Sequence, residues 1–104
     1  MSVLGKAIVV CLLSLMTFLA SAGDAERGKS LSSACAACHG VNGVSSIPMY
    51  PNLAGQKELY LISALTAYRD GMRKHMQMSP MAAGLSDKDI EDLSAYYAQL
   101  TAGQ

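Results

Sequence analysis

The run Cys35-Ala36-Ala37-Cys38-His39-Gly40 sets two thiols three positions apart and an imidazole directly after the second. Residues three apart on a helical turn face the same way, so both thiols can reach one flat ligand while His39 presents its ring beside them. Ala36 and Ala37 are too small to obstruct that approach. The spacing is the C-x-x-C-H pattern that attaches c-type haem. Three other chemistries compete for the same residues. Structural zinc wants four nitrogen or sulfur ligands, and beyond residue 22 the chain offers two Cys and two His, with His75 beside no second pair. A thioredoxin-like dithiol belongs in a βαβ context, and no segment here alternates with period two. A plain disulfide is the simplest alternative, although cysteines so close in sequence staple little by loop closure.

Outward from this motif the chain reads as helices separated by long loops. Asp24 can cap a helix running to Ala37, with Gly28, Leu31 and Cys35 at i, i+3, i+7 on one face and Arg27 and Lys29 on the wet side. Glycine inside a helix costs about 1 kcal/mol relative to Ala, so Gly28 marks either a close neighbour or a frayed helix start. From Gly40 to Gly55 periodicity vanishes among Gly40, Gly43, Pro48, Pro51 and Gly55, which predicts a loop of the long kind that carries function. A second helix spans Gln56 to Asp70, ended by Gly71. Met72 to Leu85 is read as irregular and holds Met72, Met76, Met78, Pro80 and Met81. Ser86-Asp87-Lys88-Asp89 resembles a capping box for a last helix, in which Ile90, Leu93, Tyr97 and Leu100 recur at helical spacing. The expected fold class is all-α: three main helices with two long loops around one covalently bound haem. Three short helices cannot enclose a large apolar core by themselves, and a bulky apolar ligand between the loops resolves this.

Composition divides the chain in two. Of 104 residues 51% are hydrophobic and 15% charged, with 8 Lys+Arg against 8 Asp+Glu, but much of the apolar excess lies at the start. Lys6, the apolar run Ala7 to Ala20 broken only by Ser14 and Thr17, and the small-x-small site Ala20-Ser21-Ala22 read as a secretory signal peptide over 1–22. The rival reading, a retained anchor, needs about 20 apolar residues. Residues 23–104 then form one domain, starting at Gly23, and Cys11 is discarded with the signal. Cleavage removes only Lys6, so the domain has one more acid than base. That excludes a nucleic-acid binder, which needs a clustered basic face. A domain this small buries about 60% of its unfolded surface and benefits from an added stabiliser.

Four motifs in order resemble the class I cytochromes c, of the small bacterial periplasmic mono-haem type: Cys35-Ala-Ala-Cys38-His39-Gly40, Tyr50-Pro51-Asn52-Leu53-Ala54-Gly55-Gln56, Met78-Ser79-Pro80-Met81-Ala82, and Leu85-Ser86-Asp87 followed by Ile90-Glu91-Asp92-Leu93-Ser94-Ala95-Tyr96-Tyr97. The resemblance covers Asp24 to Leu100. It implies thioether links at Cys35 and Cys38, iron ligation by His39, a hydrogen bond from the His39 ring to the carbonyl of Pro51, and a crossing of first and last helices at Gly28 and Tyr96. It also implies a methionine as sixth ligand, with Met78, seven residues before Leu85, favoured over Met81, Met76 and His75. Met49, Met72 and Met81 are then read as core filler, and His75 as an exposed loop residue. The implied function is that of a soluble periplasmic one-electron carrier with one covalent haem c, not an enzyme. It would take electrons from one redox protein and pass them to another in transient encounters, membrane complexes included, without a small-molecule substrate. The alternatives are a haem subunit of a larger dehydrogenase or oxidase complex, and a gas-binding haem protein whose iron lacks the sixth ligand.

Overall fold

A computed structural model describes residues 23–103; the signal peptide expected over 1–22 lies outside the described residues. Among the described residues five helices follow one another: α1 (Ala25–Leu31), α2 (Ser33–His39), α3 (Glu58–Asp70), α4 (Met78–Ala82) and α5 (Asp87–Gln99). No strand occurs among the described residues, in keeping with the all-α expectation.

The Asp24 side chain accepts from the Arg27 amide and caps α1 as its sequence predicts. The helix expected to run unbroken to Ala37 is instead divided at Ser32. There the Ser32 hydroxyl donates to the Lys29 carbonyl at 2.7 Å, and the Ser32 amide reaches the same carbonyl. Such local bonding by serine competes with the regular helical ladder. α2 ends about two turns later at Gly40, whose φ of +86° favours glycine. A Cβ at Gly40 would lie 2.0 Å from the Val44 carbonyl oxygen.

α5 carries the predicted capping box: Ser86 accepts from the Asp89 amide and Asp89 accepts from the Ser86 amide. It buries Ile90, Leu93, Tyr96 and Tyr97. Leu61 from α3 completes the buried cluster, and Leu31, Cys35, Leu53, Leu65 and Leu85 pack around it. α1 crosses α5 at Gly28, where an added Cβ would stand 1.9 Å from the Asp92 carbonyl oxygen and 2.8 Å from the Tyr96 Cβ. Of the two readings of Gly28, the close neighbour holds.

Arg27 keeps to the wet side, its side chain 38% exposed, while spanning the crossing, with Nη1 2.7 Å from Asp92 and Nη2 2.7 Å from Asp89. Two further expectations are corrected. The methionines read as core filler are at the surface, Met49 at 79%, Met72 at 85% and Met81 at 47% exposure, because the loops that carry them leave the packed helices. The stretch read as wholly irregular also contains the single turn and a half of α4, which packs on α3.

Candidate functional site

The Cys35-to-His39 motif occupies the last turns of α2, so helix geometry fixes the relative positions of its three side chains. Both thiols are half-buried and neither is in a disulfide, which disposes of the disulfide alternative in this structure. Cys35 lies against the core beside Tyr97. Burial pushes its thiol pKa up, and the buried Tyr97 hydroxyl has no hydrogen-bond partner. Burial likewise raises the Tyr97 hydroxyl well above the ordinary tyrosine range, and the neighbouring Cys35 adds to it. Both groups are therefore neutral at physiological pH.

His39 is 93% buried by its 7% exposure. Its Nδ1 lies 2.8 Å from the carbonyl oxygen of Pro51, which makes Nδ1 the protonated nitrogen and leaves Nε2 with a free lone pair. The loop between α2 and α3 is folded so as to deliver that carbonyl. The Leu53 and Ala54 amides both donate to the Gly43 carbonyl at 2.8 and 3.0 Å, and the Gly55 amide donates to the Tyr97 carbonyl of α5 at 2.9 Å. The Ser45 hydroxyl reaches the Cys38 carbonyl at 3.0 Å, and its amide donates to the Asn52 side chain at 2.7 Å. The 40–55 loop is thus a hydrogen-bonded structure tied to both α2 and α5.

Met78 opens α4 and is half-buried, whereas Met76 is 91% exposed. Its amide donates to His75 Nδ1 at 3.2 Å, and the Gln77 amide donates to the same nitrogen at 3.1 Å. In return the Ser79 hydroxyl oxygen accepts from the His75 amide at 2.9 Å. His75 is exposed, as expected, but it is an organiser of this turn rather than an idle loop residue. Its ring also meets Tyr68 edge-on, and the Arg73 guanidinium lies 4.6 Å from the Tyr68 ring centre. Sequence reading missed this arrangement; the only local hint is the His75-to-Ser79 spacing of a turn that precedes a helix.

Sequence reading also missed a bond between the two loops. Gln77 Nε2 donates to the Tyr50 hydroxyl at 2.9 Å, across 27 positions of chain, and the Tyr50 ring lies 6.4 Å from that of His39. No local pattern announces such a pair.

The donor set fits a covalently held haem and fits the alternatives poorly. Two unpaired thiols stand three positions apart on one helical turn, next to an imidazole whose second nitrogen is already oriented by a carbonyl, the usual support for a metal-bound histidine. Among the described residues no group of three or more His, Cys, Asp and Glu is placed to hold a metal ion. No helix among them is long and apolar enough to cross a membrane.

Comparison with known proteins agrees with this chemistry. The family model described as cytochrome c matches residues 25–101. Cytochrome c-554(548) of Halomonas halodenitrificans is 52% identical over 80 residues, covering 74% of this chain and 96% of its own. The crystal structure of reduced recombinant cytochrome c4 from Pseudomonas stutzeri superposes with a TM-score of 0.73 at 42% identity, over 77% of this chain and 47% of that one. The thiosulfate dehydrogenase electron acceptor of Thiomonas intermedia is 35% identical over 95 residues, covering 91% of this chain and 44% of that protein. The chain therefore spans nearly all of the first relative and about half the length of the other two. With its matched span, its helical architecture and a C-x-x-C-H motif that marks one covalent haem c, this chain belongs to the cytochrome c family, whose small members are electron carriers and not enzymes.

Proposed function

We propose that the protein is an exported, periplasmic one-electron carrier. In this reading Cys35 and Cys38 hold the haem by thioether bonds, and His39 and Met78 are the axial ligands of its iron. The observation that carries it is the 2.8 Å contact between His39 Nδ1 and the Pro51 carbonyl, which orients the ring and leaves its other nitrogen available to a metal. Met78 is supported over its rivals by placement: it is half-buried at the start of α4, while Met76 and Met81 are exposed at 91% and 47%. Bound haem with such ligands supplies a one-electron iron couple with no open coordination position, and the thioether favours the ferrous state. The chain's own contribution is to orient the His39 ring and to hold Met78 through its amide, while Leu53, Leu65 and Leu85, partly buried on the edge of the packed core, would offer the group apolar surface.

The leader over 1–22 with its Ala20-Ser21-Ala22 site supports export and the cleaved domain 23–104. Similarity to a thiosulfate dehydrogenase electron acceptor supports redox proteins as donor and acceptor. The ferric protein is expected to show the weak long-wavelength sulfur-to-iron band, and the ferrous protein to bind no carbon monoxide at neutral pH. Met78→Ala should abolish the band, lower the reduction potential and admit carbon monoxide. Ready carbon monoxide binding by the unmodified protein would overturn the carrier reading in favour of gas binding, and a band that survives Met78→Ala would overturn the ligand assignment.

A further inference from the structure

We infer that Tyr50 and Gln77 form a latch joining the two axial arms of the site, and that this single hydrogen bond helps hold Met78 in place. The inference rests on the reading of Met78 as sixth ligand.

Each partner of the bond is the immediate neighbour of a residue that serves an axial position. Tyr50 precedes Pro51, whose carbonyl orients His39. Gln77 precedes Met78 and is the residue from which α4 starts. The 2.9 Å contact between Gln77 Nε2 and the Tyr50 hydroxyl therefore links the histidine side of the site to the methionine side directly.

The methionine side has few other ties. The bonds that shape the 75–79 turn are internal: His75 Nδ1 accepts from the Gln77 and Met78 amides, the Ser79 hydroxyl oxygen accepts from the His75 amide, and the Ser79 amide donates to the His75 carbonyl. They make the turn stiff without locating it. The turn runs on into α4 through the Met81 and Ala83 amides, which donate to the Gln77 and Ser79 carbonyls. Among the described residues, the Gln77–Tyr50 bond is the only hydrogen bond from residues 75–79 to a residue before 75 or beyond 83. The remaining ties are packing: His75 edge-on to Tyr68 of α3, and α4 itself, which packs on α3 and buries Ala82.

The Tyr50 end is better anchored. Its amide donates to the Ile47 carbonyl at 3.0 Å, and the loop that carries it is bonded to α2 and α5 through Ser45 and Gly55. The turn is held on the α3 side by packing and on the side of the 40–55 loop by this one hydrogen bond, so the bond sets how closely the two arms approach. Losing the bond leaves the turn intact but free to shift, so the effect should fall on the iron–sulfur bond rather than on the fold. Tyr50 and Gln77 are positioning residues in this sense.

The experiment titrates the ferric holoprotein with imidazole and follows loss of the sulfur-to-iron band in the unmodified protein, Tyr50→Phe, Gln77→Ala and the double variant, with thermal unfolding measured on all four. Each single variant should bind imidazole about two- to ten-fold more tightly, the range expected for one net hydrogen bond. The double variant should bind no more tightly than the singles, because the same bond cannot be lost twice. Unchanged imidazole constants, a fall in thermal stability alone, or gains that multiply in the double variant would each overturn the latch. If the unmodified ferric protein has no such band, the Met78 reading falls and the latch with it; if the band is present and the constants do not move, only the latch falls.

Discussion

Where α1 crosses α5, the glycine at position 28 brings the α1 backbone against the Asp92 carbonyl and the Tyr96 side chain. Asp92, only 1% exposed, accepts there from the Asp24 amide and Arg27 at 2.7 Å each, with Lys88 at 3.2 Å. The segment from Met72 to Ala82 is built differently. Three of its methionines are exposed, its helix is five residues long, and its shape comes from bonds that span six residues or fewer. The crossing is specified by close approach and by a buried charge that must stay paired. The methionine segment is specified by turn-scale bonds and a single long-range one. A small chemical change should therefore be severe at the crossing and tolerated in the segment, except where it touches Met78.

The sharpest way to break this contrast is Gly28→Val. Neither atom facing a new side chain can move cheaply, since one is an α5 backbone oxygen and the other a Cβ rooted on the same helix. Overpacking of this kind costs about 1–3 kcal/mol and occasionally more, and helix separation would add to it. Thermal unfolding of the holoprotein should show the largest loss of any single change considered for this protein. A melting temperature within a degree or two of the unmodified protein would show that the helices do not meet here.

Asp92→Asn should come next. Burial opposes the charge of Asp92, but hydrogen bonds from Arg27, the Asp24 amide and Lys88 outweigh it and hold its pKa below the ordinary carboxylate value. Asp89 is lowered as well, first by the Ser86 amide and then by Arg27. A carboxylate with a depressed folded-state pKa contributes stability that is complete above its unfolded value of about 3.9 and is lost as pH falls through the folded value. The unmodified protein should therefore lose stability steeply below about pH 4. Asp92→Asn should lower stability at neutral pH by about 1–3 kcal/mol and flatten that acid limb. Equal slopes for the two proteins would show that Asp92 is not the group responsible.

The smallest effect is expected in the methionine segment. Met76→Ala removes a side chain that is 91% exposed, so stability should change by no more than about 0.5 kcal/mol and the sulfur-to-iron band should remain. A large loss by chemical denaturation would mean that Met76 is covered in the holoprotein and that the contrast between the two regions is overstated.

Local chemistry explains what was legible beforehand. The thiol spacing at Cys35 and Cys38, the Asp24 cap, the Ser86–Asp89 capping box, Gly71 at the end of α3 and the helical recurrence in α5 all act within a few residues, and a one-dimensional reading captures them. The division of the first helix at Ser32 was within reach by the same logic, because it rests on a hydroxyl and a carbonyl three positions apart, but helical spacing continued through it and masked it. The exposure of Met49, Met72 and Met81 was not within reach. Hydrophobic character says what a residue would gain from burial, not whether the loop that carries it turns toward the core.

By itself, then, the sequence determined the haem chemistry, the helical class and the helix ends at Asp24, Gly71 and Ser86, since each depends on contacts between near neighbours whose geometry the chain carries wherever it goes. Only the tertiary structure decided that Asp92 is buried and paired with Arg27, 65 positions away, how the folded loop brings the Pro51 carbonyl to His39, a contact that the family resemblance implied, and that Gln77 meets Tyr50. The last two involve residues 12 and 27 apart whose intervening chain could close in many ways. For pairs at such separations the cost of closing the loop is nearly the same for many alternatives, so the choice among them falls to the packing of α1, α3 and α5 around the Leu61, Leu93, Tyr96 and Tyr97 cluster.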